Sequence, residues 1–187
     1  MTNNINKIDE AFDLCSNNLG NLPSKYKKWR TLFAYRKDWS FIKNRQILER
    51  ICEGTMALDY LYSLLLWLEP GLTLGYAHKF LCVQNAVSII EAVLFDYLCR
   101  FINETKDTFL KDELSKSPSN KIRYILKKKG ILDSYWDNYI EELSELRNYI
   151  HLTKTGIKFY EKIDKVDVCL LIKKINSFRV FMRINYR

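Results

Sequence analysis

Apolar residues recur along this chain at steps of three and four, the spacing of one face of an α-helix. Ile5, Ile8, Phe12 and Cys15 predict a short helix over residues 5–18 that stops at Gly20, followed by a break at residues 21–24. Trp39, Ile42, Ile47, Leu48, Ile51, Leu58, Leu61, Leu65 and Leu68 predict a long helix over 39–68, with Gly54 as a point of bending. Glu69-Pro70-Gly71 ends it, because proline disfavours the α conformation in the residue before it. A second long helix is predicted over 74–103, on the stripe Tyr76, Phe80, Val83, Val87, Ile90, Leu94, Tyr97 and Phe101.

Shorter elements follow. A helical turn at 106–114 and a loop at 115–120 lead to a compact helix over 121–129, with Ile122, Ile125 and Leu126 inward and Gly130 as its stop. Asp133 or Ser134 caps the next helix, 134–152, whose apolar face is Trp136, Ile140, Leu143, Leu146 and Ile150. Residues 157–160 read as helix or as a short extended piece. A last helix over 162–184 turns Val166, Leu170, Ile175, Phe178 and Met182 inward. The expected fold is all-α: an up-down helical bundle of one domain, 1–187, with two long central helices and helices at 1–37 on its periphery.

Composition agrees. Six glycines and three prolines in 187 residues are too few for a turn-rich all-β protein. Five cysteines are scattered without a C-x-x-C pair, and four lie inside apolar helical patterns, so they read as small buried hydrophobes in a reduced compartment. The N-terminus lacks the apolar stretch of a signal peptide, and the apolar run Met56–Leu68, interrupted by Asp59, is too short to span a membrane. A cytoplasmic protein is expected, without a membrane partner.

Charge changes the picture. The formal net charge of +8 favours polyanionic partners, nucleic acid first and an anionic membrane surface second, although a basic surface also serves solubility alone. Residues 25–37 interleave lysines with aromatics, which suits stacking on bases while meeting phosphates. The same segment suits a helix that buries Trp29, Leu32 and Phe33 and leaves its lysines in water. Lys127, Lys128 and Lys129 sit where the helix macrodipole favours cations, and phosphate attraction is the functional alternative. Glu91 is the one ionisable residue within 86–95 and lies beside the apolar seam, where it either finds a cation or reaches water.

Glycine-rich phosphate loops, H-E-x-x-H, G-x-S-x-G and paired Cys/His metal spacings do not occur, so neither a metal nor a cofactor is expected. Of the two histidines, His78 follows no acidic residue by one turn and reads as a surface or packed side chain. His151 follows Arg147 by four. Measured from Leu143, Arg147 falls at roughly 40° and His151 at roughly 80°, with Ser144 near 100° and Asn148 near 140°. Both therefore stand on the rim of the buried face. A histidine beside a fixed cation suits general acid–base work on a phosphodiester, with the arginine stabilising charge on the phosphoryl oxygens. An arginine and a histidine in a last helical turn also have an ordinary dipole rationale.

The run Glu145-Leu146-Arg147-Asn148-Tyr149-Ile150-His151, late in a small all-α chain, resembles the signature of the HEPN superfamily, helical bundles marked by Arg, a polar residue and a following His. Three residues separate Arg147 from His151, where the family pattern has four to six. The long helix carrying Glu91 is similar to an earlier core helix of those domains. The resemblance, over about 39–185, implies a metal-independent endoribonuclease, often a homodimer with two motifs meeting across the interface, in many cases a toxin or phage-defence effector with a cognate antitoxin. It implies that His151 activates the RNA 2′-hydroxyl, Arg147 binds the scissile phosphate and Asn148 orients one of them. Glu91 and Ser144 would support them, and Lys127, Lys128, Lys129 and Lys154 would meet the RNA backbone. Two rivals stay open: a non-catalytic module binding nucleotide, RNA or a protein partner, and a structural helical domain.

Overall fold

The computed structural model describes residues 30–68, 72–106, 119–148 and 157–186. The chain divides into two compact units, Met1–Thr31 and Leu32–Arg187, and the architecture below is that of the second. The predicted helices at 5–18 and 106–114, and the breaks at 21–24 and 69–71, lie outside the described residues. Among the described residues all regular structure is helical: α1 (Leu32–Asp38), α2 (Arg45–Leu68), α3 (Leu72–Thr105), α4 (Ser119–Lys128), α5 (Ser134–Asn148), α6 (Ile157–Asp164) and α7 (Val168–Asn185).

α3 is the element the others pack on. It contacts α2, α4, α5, α6 and α7, and Cys82, Val83, Ala86, Val87, Ile89, Ile90, Val93, Leu94, Leu98 and Ile102 are all buried. A helix apolar on so many sides belongs in the middle of a bundle. The expected stripe holds at Val83, Val87, Ile90 and Leu94, while Tyr76, Phe80, Tyr97 and Phe101 are half-buried. By length and composition α3 is the one described helix that could cross a membrane, yet 56% of its most apolar window is buried inside the bundle, as in a core helix.

Several boundaries differ from expectation: α4 begins at Ser119, inside the expected loop 115–120. The long helix begins at Arg45, not Trp39, because the Asn44 side chain accepts from the N–H groups of Gln46 and Ile47 and caps α2. Trp39 and Ile42 are still buried, but in a turn after α1, where the Trp39 N–H donates to Tyr35 and that of Ile42 to Trp39. Within the described residues 30–37, Tyr35 is buried, Leu32 half-buried and Phe33 exposed, while Trp29 lies outside the described residues. At the other end, 157–160 takes the helical one of its two readings, and the last predicted helix is two, α6 and α7. Asp167 accepts from the Leu170 N–H and starts α7 afresh. The restart shifts the phase, so Leu171 is buried and Leu170 exposed.

Gly54 lies where α2 comes close to α3. A Cβ placed there would lie 3.1 Å from Cγ1 of Ile89. Gly54→Val is expected to lower stability by about 1–3 kcal/mol through overpacking, and Ile89→Val in the same protein to recover part of it. Urea titrations of the three variants give the comparison.

Cys52 and Cys82 are fully buried, as expected of small hydrophobes. Burial, with Glu49 adding, pushes the Cys52 thiol from 9.0 up to about 11, and burial pushes Cys82 to about 12. Both folded-state values exceed the unfolded one, so this contribution to stability is complete below pH 9 and is lost as pH climbs toward 11 and 12. The urea midpoint should therefore fall over that window, and fall less in the Cys52→Ala, Cys82→Ala double variant.

Candidate functional site

The site is built on α5 and α3. Gly130, at φ +71°, closes α4, and the Asp133 carboxylate accepts from the Trp136 N–H at 2.9 Å to open α5. Of the two predicted caps, Asp133 is the one used. Trp136, Ile140 and Leu143 are buried and Leu146 half-buried, which fixes the rotation of α5 on the bundle.

One turn beyond Leu143, Arg147 stands at the rim, as its angle predicts. Its Nη1 donates to Oε1 of Glu91 at 2.7 Å, with roughly a quarter of each side chain exposed (23% and 27%). The carboxylate of α3 thus finds a cation rather than water. The pair joins residues 56 apart in the chain. A guanidinium has five N–H donors in a fixed fork, so one contact orients it and leaves donors over. Ser144 is half-buried on the same helix and Asn148 is exposed. His151 and Lys154 lie outside the described residues.

The lysine triplet is divided. Lys127 donates to the Asp137 carboxylate. Lys129 lies over the Phe101 ring, 5.5 Å from its centroid. Lys128 is exposed. His78 is half-buried on α3 with its Nδ1 lacking a partner among the described residues, a packed histidine.

Glu91 also lines an open groove of about 520 Å³. Its other walls come from Ile47 and Arg50 of α2, Ser88 and Phe95 of α3, and Ile122 of α4. No family model, curated protein or solved structure matches this chain. The site must therefore be read from its own chemistry: an oriented guanidinium, a carboxylate partner and a groove with a cationic and an aromatic wall.

Two groups here escape sequence reasoning. Arg50 reads as an ordinary exposed α2 arginine until the fold puts it on the same groove as Phe95. Asp137 reads as solvent-facing but is buried, held by Arg123 Nε at 3.0 Å and by Lys127. The one available signal was Arg123 and Lys127 four apart on α4, two cations on one face of a helix that then has to meet an anion.

Proposed function

We propose that this chain is a HEPN-like, metal-independent endoribonuclease acting on RNA in the cytoplasm, with Arg147, Asn148 and His151 as its reacting group. The observation that carries the reading is the Arg147–Glu91 contact beside an open groove. In RNA the nucleophile is supplied by the substrate, so the protein has to move a proton and stabilise charge, not hold a metal-bound water. His151 removes the 2′-hydroxyl proton, the 2′-oxygen attacks phosphorus, the bond from phosphorus to the 5′-oxygen breaks, and the 5′-oxygen takes a proton from water while His151 returns its own to solvent. The products are a 2′,3′-cyclic phosphate and a 5′-hydroxyl. Arg147, oriented by Glu91, donates its remaining N–H groups to the phosphoryl oxygens as their charge grows. Asn148 orients the phosphate, and Lys128 and Lys154 meet the flanking backbone. A homodimer, and a role as a toxin or phage-defence effector with a cognate antitoxin, belong to the same proposal.

A second reading has an observation of its own. Glu91 already occupies part of Arg147, and the Arg-to-His spacing is short, which suits a module that binds RNA without cutting it. One experiment separates the two: RNA incubated with purified protein in excess EDTA, with Arg147→Ala and His151→Ala beside the wild type. The nuclease predicts cyclic-phosphate ends that both substitutions reduce at least about a hundredfold. Intact RNA in all three samples, with log K for binding falling linearly with log salt, would establish the binding module instead.

A further inference from the structure

Resting on the RNA reading, we infer that the α2–α3–α4 groove is a subsite for one nucleotide unit of a single-stranded RNA, with the base stacked on Phe95 and the phosphate held by Arg50. Ser88, Glu91 and Phe95 recur at steps of three and four on α3 and so fall within an arc of roughly 60° along the groove. Phe95 leaves 40% of its surface exposed there, although a large apolar ring is normally covered. An exposed aromatic ring and a cation lining one groove are the arrangement that takes bases without regard to sequence.

Charge favours the same occupant. Glu91 would repel a phosphate, but Arg147 neutralises it at 2.7 Å. Arg50 is exposed and has no ion-pair partner among the described residues, so of the groove's two charged lining residues Glu91 is the one that is paired and Arg50 is the cation left to meet a phosphate. Oε1 of Glu91 is taken by Arg147. Among the described residues neither Oε2 nor the Ser88 hydroxyl has a hydrogen-bond partner, so both can accept from base N–H or ribose O–H groups. A volume of about 520 Å³ lies inside the range of about 300–1,000 Å³ common for small-molecule sites. Because Glu91 belongs both to the groove and to the Arg147 contact, a strand lying in the groove would run on toward the reacting group.

The test is calorimetric titration of the full chain with 5′-AMP, 5′-UMP and inorganic phosphate. Both nucleotides should bind saturably, each losing roughly tenfold in affinity in Phe95→Leu and in Arg50→Gln. Phosphate alone should bind more weakly and respond to Arg50→Gln only. Nucleotide affinities that are unmoved by both substitutions, or no nucleotide binding at millimolar concentration, would overturn the inference. RNA cleavage is measured separately. Cleavage by the wild type with an unchanged KM in both variants sinks the groove and leaves the nuclease standing. Nucleotide binding that needs Phe95 and Arg50, with no cleavage of RNA, supports the groove and sinks the nuclease.

Discussion

Asp137→Ala is expected to cost about 2–3 kcal/mol of stability, measured as the change in urea unfolding free energy. The residue is 3% exposed. Its two carboxylate oxygens meet Arg123 Nε at 3.0 Å and the ammonium of Lys127. Breaking a fully buried ion pair costs about 3–5 kcal/mol because a charge is left without a partner. Here the cations have other recourse. Lys127 is half-exposed and can turn to water, and Arg123 keeps its contact with Glu141 at 3.0 Å. The cost therefore falls below that range. Asp137→Asn, which keeps a hydrogen-bond acceptor and loses the charge, should fall between wild type and alanine. A double-mutant cycle with Arg123→Ala should return a coupling above about 1 kcal/mol. Coupling near zero would mean that the Arg123–Asp137 contact contributes nothing to holding α4 on α5.

The same pair of helices marks what the sequence could and could not disclose. The class and the central position of α3 were legible because burial on several sides leaves an almost unbroken apolar run. The angular position of Arg147 was legible because helix geometry fixes it. Its partner was not. Nothing local links residue 91 to residue 147, and the pairing exists because α3 and α5 cross there. Asp137 was hidden for a related reason. It lies off the apolar face of α5 by roughly 120° from Leu143, and only the arrival of α4 buries it. The misplaced boundaries have local causes. Trp39 and Ile42 match the phase of α2, so periodicity alone carries the helix through Asn44, although an Asn side chain there can accept from the first free N–H groups. Asp167 does the same at α7. In both places a cap outweighed a periodic pattern, and a cap is a single residue inside a long signal.

Trp136→Ala should produce the larger loss, about 3–5 kcal/mol, the usual cost of deleting a large buried aromatic. The indole is 5% exposed and touches rings on two helices. Phe178 stands edge-on at 5.2 Å and Phe181 tilted at 5.8 Å, both from α7, while Tyr135 and Tyr139 flank it edge-on from α5 at 5.0 and 5.9 Å. Edge-to-face pairs of this kind add to the area they bury. Trp136→Phe keeps most of the ring contacts and should cost less than half as much, read from thermal and urea unfolding. The consequence reaches the candidate site. α5 is held at one end by Trp136 and presents Arg147 at the other, so loosening the indole's pocket lets the guanidinium leave Glu91. If the chain is the nuclease proposed above, then under conditions where Trp136→Ala is still folded its RNA cleavage should fall further than the folded fraction does, while Trp136→Phe stays near wild type. Cleavage that simply tracks the folded fraction in both variants would show that Arg147 is positioned by Glu91 and its immediate neighbours, without help from the far end of the helix.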